Sequence, residues 1–214
     1  DPETGTVFIH GAQNSFLCID RDGNVVWERS FHEEFGTIAG YGGRTNTPVV
    51  DGDQVVISFL NSSWGTHAKL AHRFVAFDKR KGDVLWWSEP AGTPLDTTYS
   101  TPVVAAVRGT RLLIGGCADG GIHAIKAGTG EKVWSFLLSK GGVNSSVVFW
   151  NDLVFATHSE ENLDSTVMGR VVAIDATGTG DVTKTHERWR ADEIGAGYAS
   201  PALHEGKLYV VDNS

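Results

Sequence analysis

Four tryptophans, Trp27, Trp86, Trp134 and Trp189, each close a segment of the same design, spaced 59, 48 and 55 residues apart. The segments read CIDRDGNVVW from Cys18, AFDKRKGDVLW from Ala76, AIKAGTGEKVW from Ala124 and AIDATGTGDVTKTHERW from Ala173. Each is an apolar strand, a polar turn rich in Gly and Asp, and a second strand. A further marker follows each Trp: TPVV at Thr47, TPVV at Thr101, SSVV at Ser145 and SPAL at Ser200. After that comes another apolar strand: QVVISF, RLLIGG, DLVFAT or KLYVV. A repeat of about 50 residues is one supersecondary unit that must stack on its neighbours to bury its apolar faces.

Each unit therefore has four strands, termed A to D here. A is the PVV segment, B the VVIS-like segment, C the VVAID-like segment, and D ends at Trp. The C–D turn carries the residues a tight hairpin requires. Pro48, Pro102 and Pro201 fall at the start of strand A, where a missing N–H is tolerated. No helical period of useful length is visible. Four antiparallel strands per unit of this length predict an all-β propeller. The blade segments cover about 1–30, 45–90, 99–137, 144–191 and 198–214 of a single domain spanning 1–214.

An indole buries a large apolar area and still offers one donor. At the same point of every blade it can wedge between neighbours, so Trp27, Trp86, Trp134 and Trp189 are read as structural docking residues. The A-x-D-x-x-T-G-x-x-x-W tag followed by S/T-P-V-V resembles the tryptophan-docking motif of the PQQ-like (quinoprotein-type) propellers. Ala76, Asp78, Gly82 and Trp86 match it, as do Ala124, Thr129, Gly130, Glu131 and Trp134. Lys126 stands where the tag has Asp, the first unit is one residue short and begins at Cys18, and the fourth has an insertion before Trp189. The likeness covers nearly the whole chain, but its motif is a packing device, so it speaks to fold more than to chemistry.

The first unit lacks strand A and the last has only A and B, which gives an expected 17 strands. A four-bladed ring would leave one strand unpaired, and an orphan edge is a liability. About four blades of a larger ring, of roughly six to eight blades, are expected. The D–A and B–C loops should emerge on one face, and loops on a rigid scaffold carry function. The D–A loops bring Arg44, Asn46, Asp96, Tyr99, Asn144 and Tyr198 towards the channel mouth. Such a set suits a planar anionic ligand, or simply lines the channel with water-holding groups. The B–C segments 61–73 and 158–170 read as long loops, with His67, His72, His158, Glu160, Glu161 and Asp164 as metal-capable side chains. No tight ligand spacing joins them.

The formal net charge is −8, and no basic cluster marks a nucleic-acid or anionic-membrane partner. No apolar run reaches the roughly 18 residues of a membrane helix. Cys18 and Cys117 are expected as buried free thiols. No nucleophile elbow, phosphate loop or EF-hand is present. Three functions follow, one of them a sensor domain attached to a kinase or a cytochrome elsewhere in a longer polypeptide. Another is a non-catalytic scaffold that binds a protein partner or a small ligand at the loop face, similar to the PQQ-like assembly factors of bacterial envelopes. The third is a piece of a PQQ- and calcium-dependent alcohol or sugar dehydrogenase, with Asp96, Asn144 and Glu161 as candidate groups. That family commonly has an adjacent Cys-Cys pair by the cofactor, and this chain has none. The resemblance also implies a periplasmic or extracellular location.

Overall fold

Short strands rich in Val, Ile and Phe, punctuated by Gly turns, pair antiparallel with their sequence neighbours. A computed structural model describes residues 1–11, 14–36, 46–61 and 69–213. Its contacts divide the chain into two units, Asp1–Glu89 and Pro90–Ser214. In the first unit, β1 (Val7–His10), β2 (Ser15–Ile19) and β3 (Val25–Ser30) form a three-stranded sheet. A one-turn helix, α1 (Phe31–Phe35), follows, capped by the Ser30 side chain on the Glu33 N–H. Then β4 (Val49–Asp51), β5 (Gln54–Asn61), β6 (Ala71–Asp78) and β7 (Val84–Ser88) form a four-stranded meander.

In the second unit, β8 (Val103–Val107), β9 (Thr110–Gly116), β10 (Gly121–Lys126) and β11 (Lys132–Leu137) make one blade. The next comprises β12 (Val148–Trp150), β13 (Leu153–Glu161), β14 (Met168–Asp175) and, after β15 (Gly180–Asp181), β16 (Glu187–Asp192). A hairpin, β17 (Ala202–His204) and β18 (Lys207–Tyr209), ends the described chain. This is the four-stranded blade architecture of a β-propeller. There are 18 strands among the described residues, one more than the 17 expected. The extra one, β15, lies in the insertion before Trp189 and pairs parallel with β11 of the preceding blade. Val182 N–H donates to the Ser135 carbonyl at 2.9 Å, and Leu137 N–H to Thr183 Oγ1 at 3.0 Å. The insertion thus covers an outer strand edge that would otherwise stay unpaired.

The docking tag has a geometric basis in each of the four units. The C–D register slips by one residue beside Cys18, Ala76, Ala124 and Ala173. Those small residues lie directly opposite Trp27, Trp86, Trp134 and Trp189. A bulge re-aims a side chain, and a small partner leaves room for the indole. Trp27 then donates to the Lys79 carbonyl of the next sheet at 3.1 Å, and Trp134 to the Ala176 carbonyl of the next blade at 3.0 Å. Gly82 has φ +74°, and a Cβ there would lie 2.7 Å from the Trp27 ring. Only glycine suits both the backbone conformation and the close approach.

The other two tryptophans differ. Trp86 donates to Gln54 Oε1 of its own sheet at 3.0 Å. Trp189 is 43% exposed and packs its ring 6.0 Å from Phe155 of its own blade. In the first unit the core joins both sheets through Phe16, Trp27, Phe31, Val55, Ile57, Val75 and Phe77. In the second it joins two blades around Trp134, Ile114, Ile122, Val154 and Ile174. Cys18 and Cys117 are buried free thiols, as expected.

Burial and bonding separate the tryptophans by energy. Trp134→Phe opens a void and leaves the Ala176 carbonyl unpaired, at a cost of about 1–3 kcal/mol. Trp189→Phe stays within about 0.5 kcal/mol. Urea midpoints of the two variants measure the difference. Equal midpoints would show that the docking bond does not carry the blade interface.

Candidate functional site

The loop face of the second unit is built by pinning each D–A connection to a B–C turn. Leu95 and Asp96 N–H groups donate to the Ala118 carbonyl at 2.8 and 3.3 Å, and Val143 N–H to the Cys117 carbonyl at 3.0 Å. Lys140 N–H donates to the Glu161 carbonyl at 2.9 Å, while its ammonium pairs with the Glu161 carboxylate. Ser139 bridges to Asn162. D–A and B–C segments therefore share one face within this unit, as the blade order implies.

The S/T-P-V-V marker has a role that its sequence did not disclose. Thr101 N–H donates to Ser146 Oγ at 2.9 Å, and Ser146 N–H donates to Ser200 Oγ at 2.9 Å. Thr101, Ser146 and Ser200 begin consecutive innermost strands, so each backbone donor is satisfied by the next blade's hydroxyl. Within blades, Ser100 Oγ accepts from Gly116 N–H at 3.0 Å, and Ser145 Oγ donates to the Thr157 carbonyl at 2.6 Å. In the first unit Asn46 donates to Ser58 Oγ at 2.7 Å.

The proposed mouth residues divide by what they have left to offer. Arg44 and His67 lie outside the described residues. Asn46 is buried and bonded as above. Tyr99 and Tyr198 come together, with ring centroids 5.9 Å apart. Tyr198 is 71% exposed, and the neighbouring D–A loop presents Leu95 at 61%. Asp96 is exposed and accepts from the Thr97 N–H at 2.7 Å. Asn144 is half-buried, with a buried Oδ1 that accepts from no group among the described residues.

The long-loop reading of 158–170 gives way to strands: β13 runs to Glu161 and β14 begins at Met168. Of 61–73, Asn61 ends β5 and β6 begins at Ala71, while 62–68 lie outside the described residues. The strand that runs through His158 to Glu161 was not legible, because its polar residues mask the pattern. His158 is consequently a buried strand residue. Burial lowers its pKa to about 4. Glu160 and Glu161 are half-buried, and Glu161 is engaged by Lys140. His72 is buried in β6. Among the described residues no group of three or more His, Cys, Asp and Glu side chains is arranged to hold a metal ion.

Two clusters had no sequence signal. Asp119 accepts from His123 Nε2 at 3.0 Å and from the Gly92 and Gly121 N–H groups at 2.6 and 3.1 Å. It ties the D–A loop to the B–C turn, and despite the cost of burial the His123 bond and these N–H groups hold its pKa to about 2. Arg170, whose side chain is 6% exposed, donates from Nε to Asp192 at 2.6 Å and from Nη2 to Asp164 at 2.7 Å. Residues this far apart in sequence meet only through the blade's register.

The whole-chain comparisons agree with this architecture. The sequence matches the family described as outer membrane protein assembly factor BamB over residues 3–214. No curated protein matches it. BamB from Moraxella catarrhalis superposes with TM-score 0.63 at 15% identity, over 97% of this chain and 55% of that one. The quinohemoprotein alcohol dehydrogenase ADHIIG from Pseudomonas putida HK5 gives 0.62 at 13%, over 97% and 37%. A europium-containing methanol dehydrogenase gives 0.63 at 12%, over 97% and 46%. The chain thus spans about half or less of these proteins, and at such identities the likeness is one of fold.

The buried histidines set a pH dependence. His10, held between Phe16 and Phe31, also has its pKa lowered to about 4 by burial. Both groups bind protons more readily when unfolded, where their pKa is near 6.5. Their destabilising effect is absent above about pH 6.5 and grows as pH falls towards 4. The melting temperature should fall across that window, and His158→Gln should flatten the fall. An unchanged slope in the variant would show that His158 is not held neutral by burial.

Proposed function

The chain belongs to the BamB family of PQQ-like propellers, and on that premise we propose that it is a non-catalytic scaffold that binds a protein partner through its loop face. The observation that carries this reading is the pair of exposed D–A loops in the second unit. Leu95 and Tyr198 are 61% and 71% exposed, and they sit on backbone pinned to B–C turns. Apolar and tyrosine side chains presented on rigid backbone are the anchors that protein interfaces use. The polar groups around them are largely spent on the scaffold itself. Asp96 caps its own loop, and Glu161 holds Lys140.

The partner belongs to outer membrane protein assembly, and the site of action is the periplasm. The first assignment rests on the family's description, and the second on the resemblance to the PQQ-like propellers. Among the described residues no helix is long and apolar enough to cross a membrane.

A photo-reactive phenylalanine analogue at position 198 of the full-length protein, expressed in its own cells, should yield a covalent product with an outer-membrane assembly component. The same analogue at Trp150, also exposed, should not. Leu95→Asp should reduce the yield about tenfold. Crosslinking equal at both positions, or stoichiometric quinone co-purifying with calcium, would overturn the scaffold reading.

A further inference from the structure

A cavity of about 370 Å³ opens on the outer side of the second unit, where the inserted segment of the fourth repeat crosses the blade before it. Its apolar floor is Phe136 and Leu137 from β11 and Leu163 from the β13–β14 turn. Its charged wall is Asp164, Arg170, Lys184, Glu187 and Arg190. The volume falls within the range of small-molecule sites.

The charges are not equivalent in what they have left to give. Asp164 accepts from Arg170 Nη2 at 2.7 Å and from Arg190 Nη1 at 2.6 Å. Asp192, just outside the wall, accepts from Arg170 Nε at 2.6 Å. Glu187 lies 3.7 Å from Arg190 Nε. Every carboxylate is thus already matched to a guanidinium. The cations are not used up. Arg170 is almost wholly buried, and its Nη1 has no acceptor among the described residues. Lys184 is exposed at the rim and makes no ion pair within 4 Å among the described residues. A guanidinium carries five donor hydrogens and no acceptor. Three cations face three carboxylates, so the wall's charge is balanced, and what it offers above an apolar floor is unused donors, on the Arg170 Nη1 and the Lys184 ammonium.

We propose that this cavity binds a small amphipathic carboxylate, with its apolar group on Phe136, Leu137 and Leu163 and its carboxylate on Arg170, Lys184 and Arg190. The same chemistry is presented by a free organic acid and by the apolar C-terminal residue of a polypeptide. An ammonium of the same shape brings no acceptor and a hydroxyl accepts fewer donors than a carboxylate's two oxygens, and binding sites reject ligands that leave their polar groups unpaired.

The test is a titration of the full chain, labelled with nitrogen-15, with 4-phenylbutyrate, 4-phenylbutan-1-ol and 4-phenylbutylamine. The carboxylate should give saturable amide shifts at Leu137, Asp164 and Arg190, with at least about fivefold tighter binding than the alcohol or the amine. Lys184→Gln, at an exposed position that should not disturb folding, should weaken the carboxylate about threefold and leave the alcohol unchanged. Equal affinity for all three probes, shifts elsewhere only, or an indifferent Lys184→Gln would overturn the proposal. A short peptide ending in phenylalanine, compared with its C-terminal amide, separates the sources. Preference for the free peptide acid over phenylbutyrate assigns the polypeptide terminus, and the reverse assigns the free acid; either upholds the site.

Discussion

One interaction recurs once in each unit: the indole N–H of a D strand reaches a carbonyl in the next C–D turn. Trp27 reaches Lys79 and Trp134 reaches Ala176. The bond is worth only about 1 kcal/mol net. Its importance is that the ring cannot reach the carbonyl unless several other choices are made with it. The D strand must slip by one residue to aim the ring, and the residue opposite must be small. At the first joint the receiving turn must also let its backbone lie flat against the indole. Cys18 or Ala124 opposite the ring and Gly82 beneath it satisfy those conditions. Cys18 in place of Ala is then an exchange of one small buried residue for another.

The hydroxyls of the S/T-P-V-V marker perform the matching task at the inner end of the blades. Strand A is entered at Thr101 or Ser146, whose N–H lies outside the β8 and β12 ladders. The next blade's Ser146 or Ser200 supplies the acceptor. Proline can follow Thr101 because the donor that matters belongs to the residue before it. Between the blades of β8–β11 and β12–β16, inner hydroxyl and outer indole thus hold the two sheets together at both ends. A repeat can then vary between those two points without losing its place.

This explains what the residues disclose and what they conceal. Strand order and, at Trp27 and Trp134, the tryptophan wedge were legible, because packing repeats imprint themselves at fixed spacing. The helical turn Phe31–Phe35 was not, since five residues carry no period. Nor was β15, whose Gly-Asp pair looks like part of a turn until β11 lies alongside it. His158 read as a loop ligand because HSEEN is polar, yet β13 continues through it and buries it. Of the mouth residues, only the meeting of Tyr99 with Tyr198 is a contact that the order of loops implied. The Arg170 and Asp119 clusters needed the register, since their partners come from different strands or loops.

The places where a repeat departs from its own pattern are therefore the places to look for what distinguishes this chain from a generic propeller. Lys126 replaces the turn-capping Asp of its tag. The turn closes regardless, through the Lys126 carbonyl to Thr129 and Gly130 and through a Lys126–Glu131 ion pair, so that departure is absorbed locally. The insertion before Trp189 is not. It adds a strand to the preceding blade, buries Val182 completely, and carries Thr183, Lys184 and Glu187 over an outer surface that propeller blades ordinarily leave open. An insertion that served only to protect an edge would end with the pairing of β15. Continuing past it, to wall a cavity around an arginine already held by two carboxylates, requires an arrangement that edge protection does not explain. The repeat supplies the rigid frame, and the irregular segment supplies the chemistry the frame lacks.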